Sequence, residues 1–269
     1  MKVTVITATT GGDRLANCIE SVRNQTYENY EHIVVVDGKN KWEIADPILK
    51  AVEFPNPSKE HVMVLPYATG LNRFNGHRIY AAFTLLADCD YVCWLDDDNE
   101  FTPNHLESLV NLVTEKKLDW AYSLRQIIDS EGNFICNDDC ENLGKWKSVL
   151  NDHFVDVSCF FVRREVAVQL APVWYRPARP GNGIMEVDRA LTAVLMHENN
   201  KLKFDTNADY TVKYRVGSTG ISVRKEFFLE GNATMLNRYS ENYRDWETDR
   251  KSTRLNSSHS AKSRMPSSA

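Results

Sequence analysis

Tyr91-Val92-Cys93-Trp94-Leu95-Asp96-Asp97-Asp98-Asn99 is the stretch on which the fold turns. Five apolar residues follow one another without alternation, as in a strand covered on both faces. Three carboxylates come directly after. Two unit charges about 4 Å apart repel by about 1 kcal/mol in water and about 4 kcal/mol at an effective dielectric of 20. A solvated acidic turn is the plain reading of such a triplet in an acidic chain. Its place at the end of a buried strand points instead to a divalent cation. Magnesium or manganese takes one or two carboxylates and fills its other sites with phosphate oxygens and water.

Working outward, the neighbouring segments alternate strand and helix. Residues 3–8 read as a strand, followed by Thr9-Thr10-Gly11-Gly12-Asp13. Leu15, Cys18, Ile19 and Val22 have helical spacing, with Asp13 as the N-cap. His32-Ile33-Val34-Val35-Val36 is a second unalternated strand, turned by Asp37-Gly38. A helix over 42–52, a strand over 62–65 and a helix over 75–87 follow, the last with Ile79, Ala82, Phe83 and Leu86 inward. This order implies right-handed crossovers and a parallel sheet, whose ligands bind beyond the carboxyl ends of the strands. Thr7 to Thr9, Asp37 and Asp96 to Asp98 fall at that edge. The second half is less regular. Helices are expected over 103–115, 164–170, 185–197 and 223–237, with strands over 119–128 and 154–162.

The composition excludes several classes. A net charge of −5 does not suit a duplex nucleic-acid binder, so no nucleic-acid partner is expected. Cys18, Cys93 and Cys159 sit in apolar patterns. Cys136 and Cys140 flank Asn137-Asp138-Asp139, but no second pair has zinc spacing. No run approaches the roughly 20 apolar residues that span a bilayer. The start reads as a strand rather than a signal peptide. A soluble cytoplasmic protein is expected, peripheral at the inner membrane face if its acceptor is a lipid. Residues 246–269 are expected to be a disordered tail. From 251 onward they are serine-rich, contain no acid and look like translated vector sequence.

Several motifs carry a resemblance to a known family. Leu95-Asp96-Asp97-Asp98-Asn99 looks like the DxD element of family 2 inverting GT-A glycosyltransferases. Cys18 to Val22, Gln25-Thr26-Tyr27 and Glu31 to Gly38 resemble that family's first helix and second strand. Asn72 to Gly76 with Arg78 is similar to its asparagine, glycine and arginine segment. The resemblance implies an α/β fold of the GT-A (Rossmann-like) kind, a three-layer sandwich with a mostly parallel central sheet. Residues 1–245 would form one domain, with a nucleotide-sugar half over 1–100 and an acceptor half over 101–245.

The resemblance also implies roles. Thr7 and Thr9 would line the base, Asp37 would contact base or ribose, and Arg78 would lie near the nucleotide. Asp96 would hold the ribose or a metal-bound water, and Asp98 would ligate Mn2+ or Mg2+. Asp97 fills the variable middle position, expected to tolerate Asn or Ser. Met185-Glu186-Val187-Asp188 resembles the family's acidic helix start. Asp188 aligns with the catalytic base, and Glu186 is its rival because Val187 separates the two acids. Gly181-Asn182-Gly183 could close over the donor. Tyr214-Arg215 and Ser218 stand where relatives carry a histidine, so Arg215, Arg224 or Lys225 would neutralise the diphosphate instead. Trp146, Trp174 and Tyr175 are candidates for stacking on an acceptor sugar. His153 beside Asp152 has no nucleophile pattern around it.

The activity implied is inverting transfer from a nucleotide-sugar, a UDP-sugar favoured, to a glycan or lipid-linked acceptor, as in cell-surface polysaccharide synthesis. Two alternatives stand beside it. One is a sugar-phosphate nucleotidyltransferase, which wants a basic glycine-rich loop after the first strand. The other is a non-catalytic module that binds nucleotide-sugar or glycan.

Overall fold

The computed structural model describes residues 1–177, 186–217 and 223–238. Gly181-Asn182-Gly183, Ser218 and the tail over 246–269 lie outside the described residues. Strands β1 (Val3–Thr9), β2 (Tyr30–Val36), β3 (Glu60–Val64) and β4 (Tyr91–Trp94) run parallel in the order β3-β2-β1-β4. Helices α1 (Leu15–Arg23), α2 (Trp42–Ala51) and α3 (His77–Leu86) make the crossovers. The unalternated runs are explained by burial on both sides. Val34 and Val36 pack with Leu15, Ile19, Ala45 and Leu49. Val35 faces the other layer with Ile79, Phe83 and Trp94.

The sheet continues through β8 (Phe160–Arg163), β6 (Trp120–Ile128), β9 (Phe204–Arg215) and β5 (Glu100–Phe101), with β7 (Phe134–Asn137) beside β6. β8 runs antiparallel to both β4 and β6, and β9 is parallel to β6. Among the described residues six of the nine strands therefore share one direction, which gives the mostly parallel sheet expected. α4 (His105–Lys116), α5 (Arg164–Gln169), α6 (Ala171–Trp174), α7 (Val187–Leu195) and α8 (Lys225–Arg238) complete the described elements. Among the described residues no helix is long and apolar enough to cross a membrane.

Some local expectations change. α1 starts after Arg14 without a side-chain cap, so Asp13 is not its N-cap. Leu86 is 73% exposed, and α3 instead buries His77, Tyr80 and Thr84 beside Ile79 and Phe83. Tyr80 is drawn inward because its ring packs on Trp174 and its hydroxyl reaches Asp96. The strand expected over 154–162 is shortened to β8. Asp156 is buried there and its carboxylate caps a tight turn at Ser158. β9 was not anticipated. Asp205, Asn207 and Asp209 interrupt its apolar character, and Ala208 adopts φ 53° where the pairing with β6 shifts register.

One buried cation organises the second half. Arg125 on β6 is 1% exposed and points into three carboxylates. Its Nε donates to Asp138 at 2.8 Å, one terminal nitrogen to Asp156 at 2.6 Å and the other to Glu141 at 2.7 Å. Tyr214 covers the guanidinium at 4.1 Å. Glu141 also accepts from Arg189 on α7 at 2.9 Å, which ties that helix to the cluster. Removing one partner of a buried pair costs about 3–5 kcal/mol, because the remaining charges are left without compensation. Arg125→Ala is therefore expected to lower the urea midpoint by that order of stability. An unchanged midpoint would contradict the role given to Arg125.

Candidate active site

The carboxyl edge of the parallel strands opens into a cleft of about 400 Å³. Thr9 and Thr10 line it from the end of β1, Asp37 from the end of β2, and Asp96 to Asp98 from the end of β4. Asn75, Gly76, His77 and Tyr80 close one side at the start of α3. Glu186 and Asp188 face them from the start of α7.

Asp37 is fixed rather than free. Its carboxylate accepts from the Thr69 backbone N–H at 2.7 Å, the Thr69 hydroxyl at 2.8 Å and the Gly70 N–H at 2.8 Å. A side chain at position 70 would meet that carboxylate, so glycine is needed for the close approach. Arg78 is not part of the cleft wall. It donates to the Thr69 carbonyl at 3.2 Å, and its guanidinium lies over Phe74 at 3.8 Å and Tyr175 at 5.0 Å. It therefore supports the loop that holds Asp37.

The acidic triplet divides into three environments. Asp96 accepts from the Tyr80 hydroxyl at 2.6 Å. Its backbone N–H donates to Ser158 Oγ, which also receives the Asn99 side-chain amide. Asp97 accepts from the Thr9 hydroxyl, and Gly12 lies close against it. The Asp98 carbonyl accepts from Arg215 Nε at 3.1 Å. The Arg215 guanidinium is otherwise engaged by Glu100 at 2.6 Å and by the carbonyls of Asp129 and Ser130. Arg215 thus braces the triplet from beneath instead of reaching a diphosphate. Arg224 and Lys225 are exposed at the start of α8 and do not line the cleft.

Crowding raises the proton affinity of these acids. Burial, reinforced by Asp98 and Asp156, pushes Asp96 up to about 8. Burial pushes Asp97 up to about 6, although the Thr9 hydroxyl opposes it. Asp188 is raised well above the usual carboxylate range, chiefly by burial and then by Asp156, Asp96 and Glu186. Glu186 is about half exposed and lies 3.8 Å from Arg189. Asp188 is therefore the acid whose surroundings suit proton acceptance.

Other residues singled out in the sequence lie elsewhere. Thr7 is fully buried, with its hydroxyl 3.0 Å from His32 Nε2, so it does not reach the cleft. Trp174 is a core residue against Trp94 and Tyr80, and Trp146 packs beside Leu143 and Phe228. Tyr175 alone of the three stacking candidates is well exposed, at 67%. His153 bonds the Gly144 carbonyl while Asp152 pairs with Arg189, so they form no catalytic pair. Sequence reasoning missed Tyr80, His77 and the Asp156-Ser158 support. Tyr80 had a signal: it lies one helical turn after Gly76-His77, within the segment already singled out.

A family model for "Glycosyl transferase family 2" matches residues 4–170. No curated protein sequence matches the chain. Among solved structures, the fold is similar to S. aureus TarS 1-349, with a TM-score of 0.55 and 14% identity over 91% of this chain and 73% of that one. The TarS 1-349 complex with UDP-GlcNAc gives a TM-score of 0.56 and 14% identity over 88% and 67%. Against the longer TarS structure the match spans 37% of that chain, with a TM-score of 0.51 and 15% identity over 80% of this one. At these identities the likeness is one of fold. The parallel half-sheet, the acidic strand end and a family match over more than half the sequence agree, and the chain belongs to glycosyl transferase family 2.

Proposed function

We propose that this glycosyltransferase moves a sugar from a nucleotide-diphosphate donor, a UDP-sugar first among them, to a hydroxyl of a glycan or lipid-linked acceptor, with inversion. The observation that carries the reading is the convergence of Asp37, Asp96 to Asp98 and Asp188 on one cleft. The UDP and UDP-GlcNAc complexes of TarS, which shares the fold, support the choice of donor.

In this reading Asp37 and the Thr9-Thr10 wall receive the nucleoside. Asp188 takes the proton of the acceptor hydroxyl as its oxygen attacks the anomeric carbon. The bond from that carbon to the diphosphate oxygen breaks on the opposite face, and its electron pair leaves with the nucleotide.

A divalent cation suits the donor set, because hard carboxylate oxygens match Mg2+ and Mn2+. The raised proton affinity of Asp96 and Asp188 marks carboxylates short of positive charge. Among the described residues no three such side chains form a ready metal cage, so phosphate oxygens and water would have to complete the cation's shell. Asp98, with Asp96, would hold it, and when bound it would neutralise charge on the departing diphosphate.

Isothermal titration of the wild type with UDP and manganese is expected to show binding that Asp98→Ala weakens by at least about tenfold, or about 1.4 kcal/mol. Undiminished binding by that variant, or no binding by the wild type, would count against the reading. Asp188→Asn is expected to lower kcat by about 10²–10⁴ while leaving the UDP affinity within a few-fold. The same loss from Glu186→Gln, with Asp188→Asn active, would move the base to Glu186.

A further inference from the structure

We infer that Asp97, the middle acid of the triplet, anchors the loop between β1 and α1 and is thereby a positioning residue for the nucleotide rather than a cation ligand. The inference rests on the donor reading above.

One short loop closes on this carboxylate. The Thr9 hydroxyl donates to Asp97 Oδ2. Thr9 Oγ1 in turn accepts from the Gly11 N–H at 2.9 Å. Through Thr9 the carboxylate thus reaches on to Gly11. The approach is close: a Cβ on Gly12 would lie 3.4 Å from Asp97 Oδ2. The outer side of the loop is fixed too. Gly11 has φ +83°, and a Cβ there would come within 2.9 Å of the Ala45 backbone nitrogen on α2. The loop is therefore held between Asp97 and α2, and its residues Thr9 and Thr10 form cleft wall.

This use of the carboxylate sets it apart from its neighbour. Asp96 accepts from the Tyr80 hydroxyl on α3, whereas Asp97 accepts from Thr9 within the loop that forms cleft wall. Charge-assisted bonds of this kind are the strong ones. The expectation that position 97 tolerates Asn or Ser is therefore divided. An Asn carbonyl still accepts from the Thr9 hydroxyl. A Ser side chain is one atom shorter and does not reach it.

Two measurements on Asp97→Ala, Asp97→Ser, Asp97→Asn and Thr9→Val test the inference. Amide hydrogen exchange of residues 9–12, without ligand, should quicken at least about tenfold in Asp97→Ala and Asp97→Ser, and less in Asp97→Asn. Unchanged exchange in Asp97→Ala would overturn the anchor, whatever the donor turns out to be. Calorimetry with UDP, with manganese and with EDTA, reads the consequence. Asp97→Ala and Thr9→Val should each weaken UDP binding several-fold, with the double variant no weaker than Asp97→Ala alone. The factor by which manganese strengthens binding should be kept, and Asp97→Asn should recover most of the affinity. Loss of the manganese effect in Asp97→Ala and Asp97→Asn, with Thr9→Val unaffected, would make Asp97 a cation ligand and overturn the proposal. A wild type that binds no UDP would overturn the donor reading and the positioning role together, while the exchange data would still decide the anchor.

Discussion

Like charges packed at the carboxyl edge of the sheet are the constraint around which this structure is arranged. Asp96, Asp97, Asp98, Asp156, Glu186 and Asp188 crowd into one region, and each raises the cost of ionising its neighbours. The fold meets this in two ways. On the side of β6 it supplies cations: Arg125 is buried among Asp138, Glu141 and Asp156, and Arg189 joins through Glu141. On the side of the cleft it supplies hydroxyl donors, from Tyr80 to Asp96 and from Thr9 to Asp97. These donors orient the carboxylates without cancelling their charge.

The two regions are joined by a short chain of polar contacts. Asp156 pairs with Arg125 through one oxygen and accepts from the Ser158 N–H through the other. Ser158 Oγ receives the Asp96 N–H and the Asn99 amide, and Asn99 Oδ1 accepts from the Arg215 N–H on β9. Asp96 is thus tied through Ser158 to β9 and to the buried charge cluster. The same cluster reaches α7 through Arg189, next to Asp188. The acids at the end of β4 and at the start of α7 are held by one continuous framework of polar contacts.

The first hundred residues were legible because their physics is local. Unalternated runs such as Val34-Val35-Val36 can only be covered on both faces, and helical spacing in Cys18-Ile19 and Val22 marks the crossovers. Asp37 and the triplet were legible because strand ends in such a sheet face its ligand edge. The second half hid more. β9 is polar along much of its length, with Lys213 and Arg215 paired to Glu100 on β5 and Asp205 paired to Lys116 and Lys145, so no periodic apolar signal exists. Arg215 and Thr7 look like site residues in sequence, yet long-range partners, Glu100 and His32, take them into the interior. Asp97 looks interchangeable until its partner Thr9, 88 positions earlier in the chain, is seen beside it. Contacts of that separation leave no mark on a local pattern.

The proposed function requires that the cleft hold its acids short of positive charge until a cation arrives with the nucleotide. Titrating UDP and manganese into the protein at pH 7, in two buffers of different ionisation enthalpy, tests it directly. Asp96, raised to about 8, is largely protonated at that pH and must give up its proton to face a cation. The account predicts net proton release on binding, and an affinity that climbs between pH 6 and about 8 before levelling. Binding with no proton release, or with the same affinity in EDTA as in manganese, would contradict it.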